Sequence, residues 1–371
     1  VQKEIAAAIS GALQVALKAG VPETLSSAQK LTENMEAYEN YLRGRYLWQR
    51  RGEDNIKQAI RLFEQAKELD PRFARAWSSI AAAYITLPIY LTSTDSTYVE
   101  AFDNSRHEAW SAATKALELD DSLAEAHAVL GEIAQQNREW TEAEGHYLRA
   151  IASEPRNSTA HLWYGEFLAN VGRSRDALHE SLIAYQLDPM NGGTHNVLTS
   201  IYWQLNDTDN ALKYGTIGWE LGAKPYWSVG LRIQALVNLH LEKFETAIEF
   251  AEQYDEHRVR SIGYPVEILK LYVEAKIDPA KTQFYLAALK EHEKEIWLPT
   301  LIPVFVEFCR IDDAYRVASE RLDQFINIRW FFWIPEMTAF RQDPRFSEIT
   351  AQLGLLGYWR DNGWPDLCQP E

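Results

Sequence analysis

Five alanines constrain this chain more than any other feature. Ala59, Ala109, Ala143, Ala177 and Ala211 are followed seven residues later by Ala66, Ala116, Ala150, Ala184 and Gly218. The first four pairs run straight into similar acidic turns, "AKELDP", "ALELDD", "AIASEP" and "AYQLDP". Seven residues is about two helical turns, so each pair puts two small side chains on one helix face. Pro71, Pro155 and Pro189 then stop three of those helices, because proline cannot extend one. The steps between the first members are 50, 34, 34 and 34. A stop that recurs every 34 residues describes stacked units, each burying its apolar face on the next.

The helix ahead of each stop has its own register. Trp77, His127, His161 and His195 share one position, and Ala81, Gly131, Gly165 and Thr199 the position four residues on. Small residues let two helices approach closely, while Phe63 or Tyr147, between the paired alanines, fills the space beside them. Antiparallel helix pairs of this period and pattern resemble the tetratricopeptide repeat family. The resemblance covers about residues 38–326 and is tightest over 124–225. It implies an all-α fold, a right-handed superhelical solenoid of antiparallel helix pairs with an aromatic C-terminal cap. The array is expected over 38–255, degenerate pairs over 256–326 and the capping segment over 327–371. In that segment Trp330, Phe331, Phe332, Trp333, Trp359 and Trp364 are expected to cover the face left open by the last pair.

The step of 50 places an insertion inside the second unit. Trp77 and Ala81 precede His127 and Gly131 by the same 50 residues, so the 16 added residues lie between Tyr84 and Ala109. With Pro88 and a Ser/Thr-rich stretch after it, the segment at about 85–108 reads as an extended loop followed by a lengthened second helix.

The two ends carry a second resemblance. "VQKEIAAAISGALQVAL" is amphipathic through Ile5, Ile9, Leu13 and Leu17, and it looks like the closing helix of the TolB-like domain that precedes such arrays in bacterial signalling proteins. "YLRGRYLWQRR" and "DPRFSEITAQLGLLGYWRDNGWPD" are similar to the same group. Residues 1–25 are therefore expected to be that terminal helix or an N-terminal cap. The resemblance implies an attached output domain of the adenylate cyclase or winged-helix regulator type. It also implies a periplasmic region of a membrane-anchored protein, with the cytoplasm as the other compartment.

Charge and composition narrow the chemistry. A net charge of −16 disfavours nucleic acid and anionic membrane, both of which call for dense Lys/Arg surfaces. Arg43, Arg45, Arg50 and Arg51 form one basic cluster, read as solvated arginines at a helix end, with a grip on carboxylate or phosphate as the alternative. Cys309 and Cys368 are too isolated for a zinc site or a disulfide framework. His127, His161 and His195 sit on successive units whose helices pack ~8–10 Å apart, too far for one metal ion. "NDTDNA" lacks the glycine and third oxygen of a calcium loop, and no phosphate-cradling or nucleophile constellation is present. The expectation is a non-enzymatic chain without cofactor or metal.

What remains is a surface. In the tetratricopeptide family the groove is lined by the first helix of each pair. The positions carried over here include Glu125, Glu132, Gln135 and Gln136, then Glu166 and Asn170. They continue through Asn196, Trp203 and Gln204 to Trp227, Gln234 and Asn238. Amides can pair with a peptide backbone and exposed tryptophan offers an apolar or cation-binding face, so the expected partner is a protein or extended peptide, neutral or basic. Two other readings stay open. One is a small-molecule or glycan sensor using Tyr90, Tyr98, Trp203 and Trp227, and the other is a self-association module that would make the chain a homo-oligomer.

Overall fold

The computed structural model describes residues 32–91, 96–221, 229–257, 266–294, 296, 298–322 and 330–368. The expected helix at 1–25 and the expected groove residue Trp227 lie outside them. Among the described residues every regular element is helical. The first three pairs are α1 (Met35–Arg50) with α2 (Glu53–Leu69), α3 (Ala74–Tyr90) with α4 (Ser96–Leu119), and α5 (Ala124–Gln136) with α6 (Trp140–Ser153). Next come α7 (Ser158–Asn170) and α8 (Ser174–Leu187), α9 (Gly192–Gln204) and α10 (Thr208–Glu220), and α11 (Val229–His240) and α12 (Phe244–His257). Two further pairs are α13 (Val266–Ile277) with α14 (Thr282–Glu291) and α15 (Leu298–Glu307) with α16 (Ile311–Glu320). The C-terminal segment holds short 3₁₀ turns at Trp330–Trp333 and Pro335–Met337, then α17 (Thr338–Gln342), α18 (Arg345–Gln352) and α19 (Leu355–Asn362).

The recurring acidic turn has one hydrogen-bond pattern. The carbonyls of Ala66, Ala116 and Ala150 accept the N–H of Asp70, Asp120 and Glu154 at 2.9–3.1 Å. Those acidic residues in turn accept, at their own carbonyls, the N–H of Phe73, Leu123 and Asn157. The Asp70 carboxylate also takes the Arg72 N–H at 3.0 Å, and the Asp120 carboxylate takes the Ser122 N–H at 3.0 Å. Each turn thus satisfies donors that the next helix would leave open.

The histidine register has an equally local explanation. Trp77 donates its indole N–H to the carbonyl of Pro71 at 3.0 Å. His127 and His161 place Nε2 at 3.0 Å from the carbonyls of Asp121 and Pro155, the same six residues back. A flat ring with one N–H meets the requirement, and both imidazole and indole supply it.

The insertion lengthens both helices of the second pair. α3 runs 17 residues through Pro88 to Tyr90, and α4 runs 24 residues. Much of the expected extended loop is therefore helix. Just before the proline, the single Thr86 hydroxyl is shared between the carbonyls of Ala82 and Ala83 at 2.8 and 3.1 Å while accepting from Trp48.

The chain divides into two compact units. The described residues of Val1–Tyr164 and Leu182–Met190 form the first, and those of Gly165–Ser181 and Asn191–Glu371 the second. In the first, fully buried Phe63 lies against Gly44 and fully buried Tyr147 against Gly131. A Cβ on Gly44 would come 2.5 Å from Phe63 Cε1, which is why that position has no side chain.

In the second unit the aromatic segment does more than close the last pair. Tyr315 on α16 stacks on Phe340 at 4.1 Å. The segment also reaches back to residues 170–175 and 204. Trp333 gives its indole N–H to the carbonyl of Asn170 at 3.2 Å, and Trp359 gives its own to Val171 at 2.9 Å. Asp366 N–H bonds the Gly172 carbonyl at 3.0 Å. Gly172 has φ +86 and lies so close to Pro365 and Trp333 that a Cβ would meet them at 2.6 and 2.7 Å.

Candidate functional site

The first helices of the pairs carry the candidate site, and the two units differ in how it is filled. In the second unit Asn170 and Gln204, the last residues of α7 and α9, converge on one residue. Trp330 donates its backbone N–H to Asn170 Oδ1 at 3.2 Å, and its carbonyl accepts from Gln204 Nε2 at 3.0 Å. Ser174 Oγ holds Gln204 Oε1 at 2.6 Å and so fixes the amide's orientation. Two side-chain amides hold both main-chain groups of a single residue. The occupant is a segment of the same chain.

The rest of that wall is closed. Trp203 is 0% exposed and packs edge-on to His240 at 5.1 Å, which corrects the expectation of an exposed indole. His240 on α11 lies against the ring, and the Trp330–Trp333 turn also packs on α9. Trp203 therefore cannot stack on a sugar. Asn196, Gln234 and Asn238 are also buried. Gln234 accepts from Thr216 Oγ1 at 3.3 Å, and Asn238 donates to the Gln234 carbonyl at 2.7 Å. Glu166 is half-buried on α7.

Behind this wall sits a group that the sequence did not flag. Glu336 Oε1 lies 3.6 Å from His240 Nδ1, and its Oε2 is shut away with no hydrogen bond. Burial above all, with Glu307 adding repulsion, pushes its carboxyl up to about 8. The same unit has a cleft of about 280 Å³ beside Tyr315, but its arginines are already spent. Arg345 pairs with Asp312 at 2.9 Å and Asp343 at 2.8 Å, and Arg316 pairs with Glu293 at 2.6 Å.

In the first unit the face formed by the first helices of the pairs, the helix-A face, is polar. Arg45 on α1 pairs with Glu125 on α5 and donates to Ser79 on α3 at 3.2 Å. Ser78 and Ser79 also donate to Glu125, at 3.3 and 3.0 Å, so three successive first helices share one network. Burial pulls the Arg45 guanidinium down most, but Glu125, Tyr41 and Glu154 together outweigh it and leave the group above its ordinary value.

Further along α5, Glu132 gathers the amides. It accepts from Gln135 at 3.3 Å, Gln136 at 3.1 Å and the Tyr147 hydroxyl at 3.2 Å. Because both amide nitrogens face the carboxylate, both oxygens must point away. Gln135 Oε1 and Gln136 Oε1 are buried with no hydrogen bond. Gln136, Asn170, Gln204 and Asn238 follow one another at intervals of 34, so the amide that clamps Trp330 in the second unit has an unfilled counterpart in the first.

Comparison with known proteins adds the following. Residues 126–159 match the family model described as tetratricopeptide repeat. The structure is similar to that of Pseudomonas aeruginosa pilF, at 24% identity over 57% of this chain and 90% of that one, TM-score 0.44. PilW, a widely conserved type IV pilus biogenesis factor, matches at 17% identity over 59% and 92%, TM-score 0.42. The APC/C hetero-tetramer Cut9–Hcn1 matches at 19% identity over 69% and 46%, TM-score 0.44. No curated protein matches the sequence.

Proposed function

We propose that this chain is a protein-interaction scaffold module of a bacterial signal-transduction protein, taking a peptide or protein segment on the helix-A face of its first unit. One observation carries the reading: Asn170 and Gln204 bond the backbone N–H and C=O of Trp330. Amides at these register positions can hold main chain irrespective of side chain. In the second unit that capacity is used internally. In the first, the buried oxygens of Gln135 and Gln136 await donors, and a buried acceptor left unpaired is costly. A partner's main-chain N–H groups or lysine ammonium supply such donors, and the net charge of −16 favours a neutral or basic segment.

The test uses a photo-crosslinking residue placed at Glu125 on the helix-A face or at Leu148, an exposed position on α6. With neutral and basic peptide libraries as ligands, adducts should form at position 125 and be reduced by Gln135→Leu with Gln136→Leu. Equal labelling at both positions, unchanged by those substitutions, would remove the helix-A face as the site.

A further inference from the structure

The basic cluster "RGRYLWQRR" divides in the structure. Arg43 and Arg50 are exposed, with Arg43 4.0 Å from Glu39 and Arg50 donating to the Tyr46 hydroxyl at 3.3 Å. Arg45 and Arg51 turn to Trp48 instead. Their guanidinium carbons lie 4.8 and 4.0 Å from its ring centroid. Trp48 is buried, and its indole N–H is fixed on Thr86 Oγ1 at 3.1 Å, so the ring is a rigid plate for both cations.

The two charges are not answered equally. Arg45 has Glu125. The Arg51 guanidinium forms no ion pair among the described residues, and its Nη1 is closed to solvent without any hydrogen bond. The titratable groups whose charge reaches it are Tyr90, Arg45, Glu125 and Asp188, with Arg45 repelling. The backbone is also set for this placement. Arg51 has φ 55 and ψ −178, a region held almost only by glycine, and it follows the last turn of α1. The strained backbone and the dehydrated cation are both costly, and the stacking on Trp48 offsets them only in part.

We infer that Arg51, stacked on Trp48 beside Arg45, is an oxyanion site that takes one carboxylate or phosphate group. The guanidinium's forked donors fit two oxygens of such a group, and the stacked indole holds the fork in place. The chain's net charge of −16 repels extended polyanions, so the ligand carries one or two charges. The site goes beyond the scaffold reading, since an anion can bind here whether or not a peptide lies along α5.

Thermal unfolding of the full chain tests it, in sodium phosphate and in sodium N-acetylglutamate, each against sodium chloride at equal ionic strength. The wild type should gain about 2–4 °C in at least one oxyanion arm, the shift expected when about one kcal/mol of binding is added to a domain of this size. Arg51→Met, which removes the charge and keeps only an apolar contact with the ring, should lose that gain relative to its own melting point in chloride. Arg51→Lys should keep part of it, and Arg43→Met should behave as wild type. A gain with phosphate alone identifies the free ion as the source; a gain with N-acetylglutamate identifies an acidic side chain. The same gain in Arg51→Met as in wild type, or none in either arm, overturns the assignment.

Discussion

Trp333 donates its indole N–H to the carbonyl oxygen of Asn170, 3.2 Å away and 163 residues earlier in the chain. With Trp359 on Val171 and Trp330 between Asn170 and Gln204, that bond makes the C-terminal aromatic segment part of the second unit's core. Phe331, Phe332 and Trp333 are each 0% exposed, and burying three such side chains stabilises by several kcal/mol at ~25 cal/mol per Å².

The clamp on Trp330 should behave as a unit. Asn170→Leu strands the Trp330 N–H, and Gln204→Leu strands its carbonyl and the Ser174 hydroxyl. Each is expected to cost about 1–3 kcal/mol in urea unfolding. The double variant should lose less than the sum, because both substitutions act on one residue. Strict additivity would show two independent bonds.

Stability should fall in acid through His146. Burial, with His127 and Arg149 adding repulsion, pulls its imidazole from 6.5 to about 4. The unfolded chain takes a proton near pH 6.5 that the folded chain refuses until about 4, so stability present above 6.5 is lost as pH falls through that window. Solvent screening of this partly exposed ring holds the loss below the full linkage value, and denaturant midpoints for His146→Phe should show a shallower acid limb.

Glu336 works in the opposite sense. Its carboxyl stays protonated to about 8 when folded, against 4.5 when unfolded, so stability present below 4.5 is lost as pH rises towards 8. Glu336→Gln should flatten that slope and be about 1–3 kcal/mol more stable than wild type in mild alkali. Parallel pH profiles for variant and wild type would show that the carboxyl is not the titrating group.

Gly44 tests the close helix approach. Gly44→Ala puts a methyl 2.5 Å from Phe63 Cε1 and should cost about 1–3 kcal/mol by thermal or chemical denaturation. Adding Phe63→Leu should recover part of the loss by making room, whereas a purely additive pair would point to helix propensity instead.

Local features were legible in the sequence and long-range ones were not. Ala66, Asp70 and Pro71 encode a helix end within six residues, and Gly131 with Tyr147 encodes a close pair within one unit, so periodicity sufficed for both. Asn170 and Gln204 were readable as amides suited to main chain, because their register placed them on first helices. Whose main chain they hold was not readable, since no repeat pattern links residue 170 to residue 330. Trp203 was misjudged because its register puts it on the groove face, whereas His240 on α11 packs against its ring. Arg51 could be seen in a basic cluster, yet only the backbone turn after α1 decides which arginines leave the surface.

The bond from Trp359 to Val171 spans 188 residues, and this sets an order of events during synthesis. A ribosome adds about 5–20 residues each second, so Val171 emerges roughly 10–40 s before its indole partner exists. The amide clamp waits for less time, since Gln204 completes it and Trp330 fills it 126 residues later, roughly 6–25 s at the same rate. Until then the ends of α7 and α9 lack the partner that the finished molecule supplies from its own C-terminal segment.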